Sequence, residues 1–311
     1  MNPANPIFFL PNRVGKNTGE GLLDRFLATQ GYEGKQYGQE WIASTKSAGL
    51  PTDSEVGLSR IEGLEEGKPG PLLLEVAESI GESIFGPEHF EEYGPGTGLD
   101  CRLIDCSGER FMTCHHTAPT CICVLGVMEK DGRNPTMLVG NPIEGDNRKI
   151  VSLEVQAGRT FYIPPGTPYQ LGRGMFVLQV SSMNRDFEHI AVPDEIPTLT
   201  SDDANGVFKS LRPNEILATH NDMGVITELV STEHVGFKFQ RAEITGRMDL
   251  TQEKSFSIIL CAAGTGTMSW AGGTREIRSG EYFLQPYTLP WVTFAAEKRF
   301  CLIKVQSVPK T

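Results

Sequence analysis

At 311 residues the chain can bury a sizeable core and is longer than one small β domain requires; its formal net charge of -11 leaves no broad basic face for a nucleic-acid backbone. No apolar run approaches the ~20 residues that span a bilayer, and the opening MNPANPIFFLPNRVGK has no basic leader before a long apolar stretch, so a cytoplasmic protein is expected. The seven scattered cysteines, some in strand-like runs such as those around Cys261 and Cys301, fit reduced buried thiols better than a disulfide framework.

In chain order, residues 1–98 are the least strand-like part, with helices predicted over Gly21 to Thr29 and Pro71 to Phe85. In the second, Leu72, Leu73, Val76, Ala77, Ile80 and Ile84 recur at helical spacing behind a proline that can open a helix. The turn residues of GPEHFEEYGPGTG, Gly86 to Gly98, mark a boundary. From Leu99 to residue 200 the pattern is short strands: CRLIDC, RFMTCH, TCICVLGV, TMLVG, IVSLEV, TFYIP and MFVLQVSS. Residues 201–235 read as an irregular, acidic linker with a short helix over Pro213 to His220. Strands resume over 236–311 as GFKFQRAEI, SFSIILCAAG, GTMSWAG, EYFLQP, WVTFAA and FCLIKVQS.

The segment VQAGRTFYIPPGTPY, Val155 to Tyr169, returns without a gap as IRSGEYFLQPYTLPW, Ile277 to Trp291, with Gly158/Gly280, Phe161/Phe283, Pro164/Pro286 and Pro168/Pro290 in register. Each copy reads as a glycine turn, an apolar strand, a proline-rich turn that cannot continue a ladder, and another strand. The prediction is mostly β: two barrels of one design behind a small helical N-terminal region, with function in a barrel mouth where strand ends converge on a small ligand. GTGTMSWAGG, Gly264 to Gly273, lacks the Lys and Ser/Thr of a phosphate loop and is expected to be a hairpin region; His220 and His234 stand alone.

Several runs resemble the type I mannose-6-phosphate isomerases, metal-dependent enzymes built from two cupin (jelly-roll) barrels and a helical segment. RLIDCSGERFMTCHH is similar to the family's KLLDAxxxLSVQVHP, FYIPPGTPYQLG to its YVPSGTIHAIG, and MFVLQVSSMNRDFE to its LVLEIQQSSDTTYRVYD. Upstream, YGQEWIAST is similar to IGESWEIS and NRVGKNTGEGLL to RIWGGxxL. The matches are colinear and cover most of the chain. They imply aldose-ketose isomerisation of a carbohydrate phosphate at a zinc ion in the first barrel, with Glu40 and Trp41 in a segment that packs near it.

The departures are specific. The family holds its metal with a Gln and a His two apart on one strand, a Glu two residues after a Lys, and a His in the Pro-Gly turn. Projected onto this chain, His115 remains, Thr113 replaces the Gln, Tyr169 replaces the turn His, and the Glu falls near Cys121 with Pro119 at the Lys. His115 and Cys121 are the candidate metal ligands, because a thiolate can stand in for a carboxylate at zinc. The other reading is that the cysteines pack as small hydrophobes. Arg185 is the candidate for stabilising negative charge on substrate or intermediate, or else a surface side chain beside Asp186 and Glu188. Tyr169 either donates to a sugar hydroxyl or acts as an acid, or plugs the mouth as Trp291 is expected to do in the second copy. Thr113 and Arg102 are candidate substrate-binding residues; Arg102 sits at the family's Lys and faces either the pocket or a surface ion pair. Two functions stay open: a sugar-phosphate isomerase, or a catalytically silent barrel that binds a sugar or sugar phosphate as a sensor or interaction module.

Overall fold

The structure, a computed structural model, describes residues 2–15, 21–27, 38–49, 54–63, 68–108, 112–114, 118–140, 150–182, 216–221, 223–230, 235–296 and 298–309. These residues are mostly β, with three helices, Leu22–Leu27, Leu73–Phe85 and Pro87–Tyr93. Apart from a two-stranded sheet of Arg60–Glu62 and Pro69–Leu72, the strands form two pairs of antiparallel sheets, each pair packed over its own apolar core.

In the first pair, a six-stranded sheet runs Thr160–Ile163, Thr120–Val127, Met175–Ser182, Leu99–Cys106, Gln39–Trp41, Arg13–Val14. It faces a four-stranded sheet of Ile150–Glu154, Thr136–Gly140, Tyr169–Leu171 and Met112–Cys114. Strand alternation sends every second side chain inward, so Ile104, Cys106, Ile122, Val124, Met175 and Val177 meet Met137, Val139, Val151, Leu153, Tyr169 and Leu171 in one buried cluster. The outward residues of the larger sheet, among them Cys101, Leu103, Cys121, Cys123, Leu178 and Val180, join a second cluster with the helices and the back of the other sheet pair.

The second pair repeats the plan. A seven-stranded sheet runs Ile7–Phe8, Tyr282–Gln285, Ser257–Ala263, Phe300–Ser307, Phe237–Ile244, Gly224–Val230, Ile216–Asn221. It faces a four-stranded sheet of Arg247–Thr251, Trp291–Ala295, Thr265–Trp270 and Gly273–Arg278. Its core is built around Phe283, Phe294 and Phe300, all fully buried. The repeated glycine has a physical reason at Gly280: its φ is +93°, and a Cβ there would come within 2.0 Å of the Phe26 carbonyl oxygen.

Three expectations need correction. The N-terminal region is threaded into both sheet pairs, because Ile7–Phe8 pairs with Phe283 and Leu284 while Arg13–Val14 and Gln39–Trp41 extend the first sheet. These strands of two or three residues are too short to carry an alternation pattern. The turn expected over Gly86 to Gly98 contains the helix Pro87–Tyr93, opened by Pro87 after Gly86, whose φ of +92° ends the preceding helix. Finally, Ile216–Asn221, which overlaps the short helix expected over Pro213 to His220, is a strand paired with Gly224–Val230.

A buried ionic cluster ties the two halves together. Arg13 lies 3.2 Å from Glu40 and 3.1 Å from Asp24, and Glu40 accepts hydrogen bonds from the Asn12 amide at 2.6 Å and from the Tyr282 hydroxyl of the second half. Burial pushes the Glu40 carboxyl above its ordinary value against the opposing pull of Arg13. His89, also fully buried, bridges similarly: its Nε2 donates to the Gly96 carbonyl at 3.0 Å and its Nδ1 accepts from Ser307 at 2.9 Å.

Candidate active site

The inward face of the first sheet pair changes character along its strands. On Met175–Ser182 the inward residues run Met175, Val177, Gln179, Ser181. Their register partners on Leu99–Cys106 run Cys106, Ile104, Arg102, Asp100, and on the other neighbouring strand Gln179 and Ser181 lie opposite Ile122 and Thr120. The same end of three adjacent strands is therefore polar, and the opposite end is apolar.

At this polar end Arg102 lies with its guanidinium carbon 4.1 Å from the centroid of the Trp41 ring, its strand partner. Its Nε donates to Asp100 Oδ1 at 2.5 Å and Nη2 to the second carboxylate oxygen. The pair is partly open, at 20% and 15% exposure. Thr120 and Ser181 share a hydrogen bond of 2.8 Å and are fully buried. Tyr169 reaches in from the facing sheet, 3% exposed, and its hydroxyl donates to Gln179 Oε1 at 2.8 Å. One cation, one carboxylate, two hydroxyls, an amide and a phenol thus gather at one end of an otherwise apolar interior. That is the composition of a site for a small polar ligand.

The expected site residues distribute unevenly over this geometry. Arg102 and Tyr169 both lie at the polar end. Cys121 does not join them: it is 0% exposed, on the face opposite its neighbours Thr120 and Ile122, among Cys101, Leu103 and Val180. Burial pushes its thiol well above the ordinary range, which opposes formation of a thiolate. Thr113 lies on Met112–Cys114 opposite Gln170, and it is Cys114 that lies opposite Tyr169. His115 and Arg185 lie outside the described residues. Among the described residues no group of three His, Cys, Asp or Glu side chains is placed to hold a metal ion.

Trp291 does not plug the second copy. Val292 and Phe294 are the inward residues of its strand, so Trp291 points out and is 53% exposed. Tyr169 is inward and Trp291 outward at the same repeat position, a one-residue difference after the proline-rich turn that inverts the side-chain direction. Gln179, Ser181, Thr120 and Asp100 were missed in the sequence, although continuing the alternation from Met175 and Val177, or back from Cys106 and Ile104, or back from Val124 and Ile122, points to each of them.

The chain matches over 92% of its length, and 94% of the relative's, a Bacillus subtilis protein named "Putative mannose-6-phosphate isomerase YvyI", with 25% identity. The chain is thus similar in sequence to a protein that bears the name of a mannose-6-phosphate isomerase. No protein-family model matches it. The mannose 6-phosphate isomerase structure from Bacillus subtilis shares its fold, with a TM-score of 0.66 at 16% identity over 97% of this chain and 99% of that one. A mannose 6-phosphate isomerase solved with zinc and yttrium superposes with a TM-score of 0.66 at 9% identity, over 98% of this chain and 100% of that one. Likeness to mannose-6-phosphate isomerases thus spans the whole of the two sheet pairs. Among the described residues no helix is long and apolar enough to cross a membrane.

Proposed function

We propose that this chain is an aldose-ketose isomerase of the mannose-6-phosphate isomerase type, acting on a carbohydrate phosphate at the polar end of the first sheet pair, and that each sheet pair is a cupin barrel. The observation that carries this reading is the partly exposed Arg102–Asp100 pair at that polar end, in a chain with a relative that bears that enzyme's name. Isomerisation moves one proton between adjacent sugar carbons through an enediolate, so it needs a base, a donor set for the developing oxyanion, and a cation for the phosphate. Arg102 supplies the cation. Asp100 is placed to take the proton, and Tyr169 with Gln179 orients a sugar hydroxyl. Arg185 keeps its proposed part in stabilising negative charge, and Thr113 its part in substrate binding.

The zinc held by one structural neighbour is not carried over. A catalytic zinc takes three protein ligands, and Cys121 faces away from the polar end. The described residues do not fit a zinc ion.

The test is a coupled assay of mannose 6-phosphate to fructose 6-phosphate. Turnover by the wild type, with Arg102→Ala and Asp100→Asn each lowering kcat/KM by about 100-fold or more, is the expected result. A wild type without turnover, or variants that match it, overturns the assignment.

A further inference from the structure

Arg102 is held along an edge and over a face at once. A guanidinium carries five N–H donors in one rigid plane. Asp100 takes two of them along the side edge, from Nε and Nη2. Three remain, two on Nη1 and one on Nη2, and among the described residues no hydrogen bond uses them. One N–H from each terminal nitrogen makes the end edge of the fork, whose spacing matches two oxygens of a phosphate. Nη1 is not shut away from solvent, in a side chain 20% exposed.

A carboxylate fixes one edge of the plane and leaves the plane free to tilt about that edge. Trp41 removes this freedom, because the guanidinium carbon lies over its ring, 4.1 Å from the centroid. The indole is itself clamped. Its Nε1 donates to Gln39 Oε1 at 2.9 Å, and its backbone amide donates to the Asn12 carbonyl at 3.1 Å. Gly57, whose φ is +95°, packs so close that a Cβ there would come within 2.9 Å of the ring's Cζ3. Gln39 and Trp41 stand two residues apart on one strand, opposite Ile104 and Arg102.

The same end of the second sheet pair treats its cation differently. Phe300–Ser307 occupies the place of Met175–Ser182, and Lys304, the counterpart of Gln179, is 5% exposed. Its Nζ donates to Gln306 Oε1 at 3.1 Å and to the Thr251 carbonyl. Lys304 is turned to the protein, whereas Arg102 keeps an edge for something else. We propose that Trp41 is a positioning residue, with Gln39 behind it: it sets the tilt of the Arg102 guanidinium so that the end edge receives the phosphate of the substrate. The inference rests on the reading of that substrate as a sugar phosphate.

The probe is inorganic phosphate, titrated into the full chain and followed by phosphorus NMR, beside the mannose 6-phosphate assay. Trp41→Leu is expected to weaken phosphate binding about tenfold. It should raise KM more than it lowers kcat, because orienting a non-reacting group serves ground state and transition state alike. Trp41→Phe, which restores a ring face, should recover most of the loss. In Arg102→Ala, Trp41→Leu should add nothing further, as befits two residues acting as one. Gln39→Met removes the indole's acceptor and leaves the ring; it should give a smaller change of the same kind, and serves alone should Trp41→Leu fail to fold. Losses that add in the double variant, or that fall on kcat with phosphate binding intact, make Trp41 a packing residue and overturn the inference. So does a wild type that binds no phosphate. A wild type without turnover whose phosphate binding still depends on Trp41 removes the isomerase reading and leaves the positioning role standing.

Discussion

The two polar ends are built on the same frame and handle charge in opposite ways. In the first, Arg102 and Asp100 form a partly open ion pair against Trp41, and a phenol donates to a buried amide. In the second, Lys304 is 5% exposed and has carbonyl oxygens as its partners, so burial pushes its ammonium down to about 8. The apolar inward positions differ little in kind, Ile104 against Ala242 and Ile122 against Ile259, so the duplicated frame survives while its rim diverges. A paired, accessible charge can meet an ionic substrate with little reorganisation. A sealed one without a counter-ion is instead costly to keep charged.

The largest expected effect breaks the frame that makes the comparison possible. Removing the buried carboxylate in Glu40→Ala takes from Arg13 the more deeply buried of its two carboxylate partners and from Tyr282 its bond to Glu40; it is expected to cost about 3–5 kcal/mol in urea unfolding. If the halves were independent, the loss would appear as a separated early transition rather than a shift of the whole curve.

The next effect sharpens the contrast between Lys304 and Gln179. A lysine depressed from 10.5 to about 8 in the folded state binds its proton less well than the unfolded chain does. Stability should therefore rise with pH between about 8 and 10.5, by roughly 3 kcal/mol. Lys304→Met should remove that rise, and Gln179→Met should leave it in place. A rise unaltered in Lys304→Met would show that the ammonium is not sealed.

The smallest pair compares the two repeat-equivalent aromatics. Tyr169→Phe deletes the donor to Gln179 within a closed cluster and is expected to cost about 1–2 kcal/mol, whereas Trp291→Ala on the open surface should stay within about 0.5 kcal/mol. Equal losses would contradict the opposite facing of the two side chains.

Much of this fold was legible in the sequence because long strands such as Leu99–Cys106 and Phe300–Ser307 repeat their alternation four times and the duplicated turn marks their order. What escaped was structure without a local period. Ile7–Phe8 and Arg13–Val14 are strands only because a partner edge receives them. Tyr169 and Trp291 match residue for residue yet face opposite ways, since proline-rich turns of equal length can deliver the chain in different phase. The site was half legible: Arg102 and Tyr169 follow from family likeness, and Asp100, Gln179 and Ser181 follow from strand phase. Cys121 attracted attention by chemistry, but the parity of its strand turns it to the other face.

The pairing of Ile7–Phe8 with Tyr282–Gln285 joins segments that lie far apart in the sequence. On the ribosome, Arg13–Val14 can complete the first sheet pair while Ile7–Phe8 waits for Tyr282–Gln285 to emerge. The second sheet pair thereby stays incomplete until that strand has been made, and a chain cut short before it carries an unclaimed edge that quality control can recognise.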